Sequence, residues 1–108
     1  MSNILQHLDL NLLVTLDALL TENNVTRAAA RLHLSQPAVS VQLARLRELL
    51  GDPLLLPGPR GMRPTARADE LRDPLRQALA ALELAIAPSD AFDPAEATQR
   101  WRIAAFDY

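Results

Sequence analysis

The chain contains no cysteine and no lysine, and aromatic residues make up only 4% of its 108 residues. The absence of cysteine excludes a disulfide scaffold and a thiolate metal site, and it suits a reducing, cytoplasmic environment. Because aromatic side chains are so few, leucine, alanine, valine and isoleucine must fill the core. A chain of this length buries about 65% of its unfolded surface, so we expect one small domain.

Long apolar runs are missing as well. None approaches the ~20 residues that a membrane-spanning helix needs, and the N-terminus lacks the basic start and apolar core of a secretory leader. His7 and His33 stand alone, without a neighbouring nucleophile or ligand, and no glycine-rich phosphate loop occurs. We therefore predict that the chain is not an enzyme and needs no metal or cofactor.

The net charge of −2 conceals an uneven distribution. Residues 24–67 hold seven arginines against two acids, whereas the segments on either side are acidic. Such a basic segment is typical of a nucleic-acid-binding surface, although a GC-rich genome would also favour arginine over lysine. Residues 24–67 contain no aromatic side chain to stack on unpaired bases, which favours double-stranded DNA over RNA.

Apolar spacing predicts three helices in the first half of the chain. The first runs from Leu8 to Glu22, and the second, capped by Thr26, runs from Thr26 to His33. The third begins after a cap at Ser35 and continues to about Leu50, where Gly51 ends it. Helical order is therefore the main feature of this half.

The connection between the second and third helices is too short for two helices that lie end to end. Only "HLSQ" separates the apolar runs, so the helices must cross, as they do in a helix-turn-helix. The small residues Ala28–Ala30 allow the axes to approach, and Leu32, Leu34 and Val39 are expected to fill the corner. The simpler interpretation is a helical hairpin of an ordinary small all-α domain.

The third helix has a candidate DNA-reading side. If Val39, Leu43 and Leu46 are buried, the opposite side carries short residues. These are Pro37, Ser40, Val41 and Ala44, with Gln36 at the leading edge. A helix with short side chains can enter the major groove, where glutamine can bond adenine and valine can touch a thymine methyl. Simple solvation or capping is the alternative role for Gln36 and Ser40.

Turn residues dominate the next segment. Asp52–Ala66 holds four prolines and two glycines around a candidate strand, Leu54–Leu56, which predicts a hairpin. Arg60 and Arg63 lie at or near its tip, where they can meet the DNA backbone or the minor groove. Thr65 is suited equally to a phosphate contact and to capping the helix that follows.

That following helix repeats its apolar residues at near-heptad spacing, which suits pairing with another helix. The residues are Leu71, Leu75, Leu79 (or Ala78), Leu82 and Ile86. The same face can instead pack back onto the first helix, and one helix can do both. A helix-pairing interaction module without DNA binding is therefore the main alternative to a DNA reader.

The order of these motifs resembles the N-terminal domain of LysR-type transcriptional regulators. The resemblance covers about residues 8–108 and is carried by "LDLNLL", "TRAAARLHLSQPAVS", "LRELLGDPLLL" and "PTARA". The most similar branch contains nodulation and aromatic-degradation regulators, which share the "DLNLL" opening and the later "FDP". The resemblance implies a mainly α fold, a winged helix-turn-helix with a two-strand wing and a long C-terminal linker helix.

The resemblance also implies three parts. Residues 1–66 would be the DNA-binding domain, residues 67–88 a dimerising linker helix, and residues 89–108 a linker and the first strand of a truncated effector-binding domain. Two linker helices would pair antiparallel in a homodimer, and full-length members are often tetramers. A small-molecule inducer would bind only the missing domain, so we expect a DNA-binding part of a cytoplasmic, bacterial regulator.

The candidate contacts combine these patterns with the motif positions of the family. The DNA contacts are Thr26, Arg27, Ser35, Gln36, Pro37, Ala38, Ser40, Val41, Arg45, Arg60, Arg63 and Thr65. For Arg45 and Arg47, a solvated or ion-paired helix face explains the sequence as well as a phosphate contact does. Pro57 stands where many members carry a wing arginine, so Arg60 and Arg63 take that contact. Val41 replaces a common arginine, which changes the expected base preference.

Overall fold

The computed structural model describes residues 3–88, which form five helices and one two-stranded hairpin. The elements are α1 (Asn3–His7), α2 (Leu10–Glu22), α3 (Val25–Leu32), α4 (Gln36–Leu50), β1 (Leu55–Gly58), β2 (Gly61–Pro64) and α5 (Ala66–Ile86). The predicted mainly α fold, with a two-strand wing and a long last helix, is confirmed. The predicted linker and strand of residues 89–108 lie outside the described residues, and the division into three parts stays a prediction.

The helix expected from Leu8 begins later and has a short helix before it. Asp9 has an extended backbone (φ −94°, ψ 166°), and its carboxylate accepts a hydrogen bond from the Leu12 N–H at 2.8 Å. This N-cap makes Leu10 the first residue of α2. Apolar spacing missed α1 because none of its residues is buried.

Helix α2 lies at the centre of the core. Its buried apolar residues, each at most 4% exposed, are Leu12, Leu16, Ala18, Leu19 and Leu20. Helices α3, α4 and α5 all pack against α2. The neighbours contribute Ala28, Ala29, Val39, Leu43, Leu46, Leu54, Leu55 and Ala68 to the same cluster. Thr15 of α2 is buried too, and its hydroxyl donates to the Gln42 side-chain oxygen of α4.

Helix α3 starts one residue earlier than predicted. Asn24, not Thr26, is the N-cap, and its side-chain oxygen accepts from the Arg27 N–H at 2.8 Å. Both residue types can cap a helix. The extended backbone of Asn24 (φ −159°, ψ 123°) makes Val25 the first residue of α3. Val25 packs partly against the core, and Thr26 falls in the exposed first turn.

The turn His33–Ser35 joins α3 to α4. His33 has a left-handed φ of 58°, and the Leu34 N–H donates to the Ala29 carbonyl at 2.9 Å. This bond satisfies a carbonyl that the end of α3 would otherwise leave open. Ala28 and Ala29 are buried, as a close approach of the two axes requires, whereas Ala30 is exposed. Val39 is buried and Leu32 packs against the core, but Leu34, also predicted to fill the corner, is 41% exposed and does not fill it.

The wing is an antiparallel hairpin of β1 and β2. Its register pairs Leu55 with Pro64, Leu56 with Arg63, Pro57 with Met62 and Gly58 with Gly61. Gly61 has a φ of 104°, and a Cβ on Gly58 would lie 3.0 Å from the Gly61 carbonyl oxygen. Gly61 therefore has a backbone conformation that favours glycine, and Gly58 leaves room for the close approach of the Gly61 carbonyl.

Helix α5 is fastened at its start and along α2. The Thr65 hydroxyl accepts a hydrogen bond from the first turn of α5 at 3.1 Å and caps it. Arg72 Nε donates to the Leu20 carbonyl at 3.0 Å, and Arg76 Nε lies 3.6 Å from an Asp17 carboxylate oxygen. These contacts set the direction of α5 relative to the helix-turn-helix.

Candidate nucleic-acid interface

The N-terminus of α4 is exposed and is held by its own cap. The Ser35 hydroxyl accepts from the Ala38 N–H at 3.2 Å, and Pro37 occupies the first turn, where the helix loses no N–H bond. Gln36 and Pro37 are both exposed. The remaining N–H groups of this turn and the positive end of the helix dipole favour an anion such as a phosphate.

Helix α4 has one buried and one exposed face. Val39, Leu43 and Leu46 are 0%, 3% and 0% exposed, which confirms the predicted core face. The opposite, exposed side consists of Gln36, Pro37, Ser40, Val41 and Ala44. Val41 is 69% exposed, so the core does not account for this apolar side chain. A surface of short residues around an exposed valine can approach base edges and a thymine methyl closely.

The first turn of α3 presents Thr26 and Arg27 to solvent. The Arg27 side chain is 70% exposed, and its Nε lies 4.0 Å from Glu22. Glu22 also binds Arg31 Nη1 at 3.0 Å and so joins α2 to α3. The Arg27 pair is long and exposed, and such pairs are weak enough for a phosphate to compete.

The wing carries Arg60 at its tip and Arg63 on β2, and both are exposed. Cγ and Cδ of Arg63 lie 3.8 Å from where a Cβ on Gly58 would stand. The aliphatic part of the arginine therefore runs along the hairpin.

Thr65 has a structural role. Its hydroxyl donates to Asp52 Oδ2 at 2.7 Å while it accepts the capping bond from α5. A hydroxyl can donate only one hydrogen bond, and that of Thr65 is already donated to Asp52. Of the two roles that the sequence allows, the structure shows the helix cap.

Arg47 has a role that the sequence does not indicate. Its Nε donates to the Pro53 carbonyl at 2.7 Å and its Nη2 to the Leu55 carbonyl at 2.8 Å. No sequence motif predicts this role, because its acceptors are backbone carbonyls. Every residue has such a group, and only the fold brings these two close to Arg47. Arg47 thus binds the base of the wing.

The arginines of the basic segment differ in their partners. Across residues 3–88, no carboxylate oxygen lies within 4.0 Å of Arg45, Arg60 or Arg63, and all three are exposed. The other arginines of residues 24–67 either approach a carboxylate or, as Arg47 does, bind backbone carbonyls. The positive charge that the described part leaves uncompensated is therefore on α4 and the wing.

The apolar residues at near-heptad spacing on α5 fall into a partly buried group and an exposed group. Leu71 and Leu75 are partly buried against the chain's own core, whereas Leu82 and Ile86 are 41% and 72% exposed. A groove of about 280 Å³ beside the exposed part is lined by Leu10, Val14, Asp17, Leu79, Leu82, Glu83 and Ile86. The near half thus packs back onto the core, and the far half presents a largely apolar surface.

The described residues offer little for other chemistry. His7 Nδ1 lies 2.9 Å from the Asn3 carbonyl, and His33 lies exposed in the turn before α4. Within residues 3–88, no group of acidic and histidine side chains is placed to hold a metal ion. No helix of the same range is long and apolar enough to cross a membrane.

Residues 10–69 match the family described as bacterial regulatory helix-turn-helix protein, lysR family. The match runs from the start of α2 into the first turn of α5. Over 101 residues the chain is 54% identical to nodulation protein D 1 of Bradyrhizobium sp. (strain NC92), covering 94% of this chain and 32% of that relative. The chain therefore spans about a third of the length of this curated relative.

Two solved structures share the fold. A probable transcriptional regulator from Pseudomonas aeruginosa is 42% identical, with a TM-score of 0.73 over 79% of this chain and 28% of that chain. The BenM DNA-binding domain in complex with catB site 1 DNA is 28% identical, with a TM-score of 0.69 over 74% of this chain and 90% of that chain. By sequence and by fold, the chain belongs to the LysR family of bacterial regulatory helix-turn-helix proteins.

Proposed function

We propose that the chain binds double-stranded DNA in a sequence-specific manner as the DNA-reading part of a LysR-type transcriptional regulator. A homodimer reads an interrupted inverted repeat in promoter DNA, and α4 of each subunit enters a major groove. The observation that carries the proposal is the exposed side of α4, whose short residues lie opposite a face that is almost fully buried.

Base recognition belongs to the first two turns of α4. The exposed Gln36 amide carries a donor and an acceptor that match the major-groove edge of adenine. Ser40 can bond a base or a phosphate, and Val41 can contact a thymine methyl. Ser35, Pro37 and Ala38 bring the helix N-terminus close to the DNA without a long side chain in between.

Phosphate binding belongs to the exposed arginines. Arg45, Arg60 and Arg63 have no acidic partner within residues 3–88, so binding a phosphate would break no ion pair there. Arg27 would exchange a long contact with Glu22 for a phosphate. Arg60 and Arg63 act from the wing, in place of the arginine that many family members carry where this chain has Pro57.

Dimerisation belongs to the far half of α5. Leu82 and Ile86 are exposed beside the apolar groove that α2 and α5 form. A second copy of α5, running antiparallel, would cover these residues and place the two α4 helices on successive major-groove faces. Leu71 and Leu75 would then support the interface from within the core of each subunit.

The longer relatives suggest where the rest of the function lies. The chain spans about a third of nodulation protein D 1, and we place the binding of a small-molecule inducer in the remainder of such a protein. Residues 1–66 would bind DNA, residues 67–88 would dimerise, and residues 89–108 would lead into the inducer-binding domain. DNA in bacteria is cytoplasmic, and the regulator would act there.

The test is an enrichment of random-sequence duplexes on the purified chain at ~0.15 M salt. The most enriched duplex is then titrated by fluorescence anisotropy at several salt concentrations. A scrambled duplex of the same composition is the control. We expect an interrupted inverted repeat and a slope of log affinity against log salt of about −0.9 for each phosphate bound.

Two other outcomes would overturn parts of the proposal. Steeply salt-dependent binding without enrichment would mean that the chain holds phosphates but does not read bases. Binding to no duplex at any salt concentration, with a stable dimer in solution, would favour the helix-pairing module.

A further inference from the structure

The wing begins at a strained residue. Leu54 has a φ of 65° although it is neither glycine nor asparagine, and its side chain is fully buried. The Leu55 N–H donates to the Pro53 carbonyl at 2.6 Å, which closes a three-residue γ-turn around Leu54. A γ-turn with a positive central φ is the rare, strained form, and it persists only where its surroundings hold it.

Asp52 holds this turn from both ends of the wing. Its Oδ2 accepts from the Leu54 N–H at 2.8 Å and from the Thr65 hydroxyl at 2.7 Å. The Thr65 N–H donates in turn to the Leu54 carbonyl at 2.9 Å. One carboxylate therefore joins the residue where the wing starts to the residue where α5 takes over.

Arg47 holds the same turn from α4. Its Nε and Nη2 donate to the carbonyls of Pro53 and Leu55, at 2.7 and 2.8 Å. The planar guanidinium group offers two donors in a fixed geometry, which the single ammonium group of a lysine does not. Because α4 also carries the proposed base-reading residues, Arg47 connects the reading helix to the wing.

The hairpin needs such support. Each strand has only four residues, and two ladder positions are occupied by Pro57 and Pro64, which have no N–H to donate. A two-stranded hairpin is at best marginally stable by itself in water. Its direction relative to α4 must therefore come from contacts at its base.

We propose that Arg47 and Asp52 form a wing clamp that sets the direction of the wing relative to α4. Both are positioning residues, which act through Arg60 and Arg63 rather than by touching DNA. The functional part of this inference rests on the proposed DNA binding. The clamp itself is a property of the free protein.

The first experiment therefore uses the free protein. Amide hydrogen exchange between Leu56 and Arg63 is compared in the wild-type chain, Arg47→Met and Arg47→Lys, with Arg45→Met as the matched exposed control on α4. We expect exchange in the wing to rise more than about fivefold in Arg47→Met, less in Arg47→Lys, and not at all in Arg45→Met. Amides of α2 and α3 should not change in any variant.

The same measurement checks the carboxylate. Asp52→Asn keeps an oxygen that can accept both bonds, so it should restore most of the wing protection that Asp52→Ala loses. Wing exchange that stays at the wild-type rate in Arg47→Met or Asp52→Ala would overturn the clamp. That result would leave the proposed DNA binding untouched.

The second experiment is a double-mutant cycle on DNA affinity. We expect Arg47→Met to weaken binding about tenfold, and to weaken it no further when Arg60 and Arg63 are already alanine. In a Gln36→Ala background the full tenfold loss should reappear, because the base contact is independent of the wing.

Additive losses in both backgrounds would show that Arg47 contacts DNA itself or disturbs α4, and they would overturn the positioning role. Unchanged affinity when Arg60 and Arg63 become alanine would mean that the wing makes no contact, which removes the functional role of the clamp. If the wild-type chain binds no duplex, the proposed function fails while the exchange experiment still decides on the clamp.

Discussion

At the scale of single residues, two helix caps are also candidate DNA contacts. Ser35 and Thr65 both lie in candidate DNA positions, and both use their hydroxyls to cap a helix. A hydroxyl that accepts a capping N–H bond still has its own proton to donate. Thr65 donates this proton to Asp52, whereas Ser35 donates to no acceptor within residues 3–88. Ser35 is thus the better candidate of the two for a phosphate contact.

Gln36→Ala should relax the base preference at one position of each half-site. The substitution would remove the proposed bidentate base contact, worth about 1–3 kcal/mol, and it leaves the cap at Ser35 in place. The measurement is anisotropy with the enriched duplex and with its single-base variants. Unchanged affinity and unchanged base preference would show that α4 is not the base-reading helix.

Leu19→Ala and Leu84→Ala make a matched pair of leucine truncations in helices. Leu19 is 0% exposed at the centre of α2, whereas Leu84 is 80% exposed on α5. We expect Leu19→Ala to lower the free energy of unfolding by about 2–5 kcal/mol, and Leu84→Ala to change it by less than about 0.5 kcal/mol. Urea denaturation at one protein concentration measures both, and equal values would contradict the position of α2 in the core.

At the scale of elements, the long helix α5 is attached to α2 by arginines. Arg72 reaches the carbonyl of Leu20, one of the groups that the end of α2 cannot bond internally. A cation is favourable there because the helix dipole is negative at that end. The direction of α5, and with it the geometry of any dimer, depends on this attachment.

Arg72→Met should therefore destabilise the chain. Methionine retains much of the aliphatic packing but loses the bond to Leu20, which is worth about 1 kcal/mol. It also loses the contact between Arg72 Nη1 and Asp69 at 2.8 Å, an i,i+3 pair worth about 0.3 kcal/mol. Arg67→Met is the control, since Arg67 is exposed and has only a 3.8 Å contact with Glu70. Equal free energies of unfolding for the two variants would show that the contact with α2 adds nothing.

At the scale of the whole molecule, charge and apolar surface are separated. The uncompensated arginines lie on α4 and the wing, whereas the exposed apolar residues of α5 are at its far end. The proposed phosphate-binding surface and the proposed pairing surface therefore use different side chains and would not compete.

Leu82→Asp should yield monomers, because it places a charge in the apolar surface that a second copy would cover. Leu84, two residues further along α5, does not line that groove, so Leu84→Asp should leave the dimer intact. Sedimentation velocity measures the oligomeric state of both variants. A persistent dimer in Leu82→Asp would place the interface elsewhere, and loss of the dimer in both would indicate a general effect of charge on α5.

The sequence by itself determined the features that depend on neighbours along the chain. Caps such as Ser35, the terminating glycine at Gly51, the short turn before α4 and the proline-rich hairpin all act through bonds within a few residues. The spacing of Val39, Leu43 and Leu46 was sufficient to orient α4, because only one face of a helix can meet a core this small.

The tertiary structure decided the features that depend on distant partners. Both Asn24 and Thr26 are suitable caps by residue type, and only the folded backbone shows that Asn24 caps α3. Contact with α2 selected which leucines of α5 are buried, and the fold brought two carbonyls of the wing to Arg47. Local propensity holds no information about such contacts, because they join atoms that only the folded chain brings together.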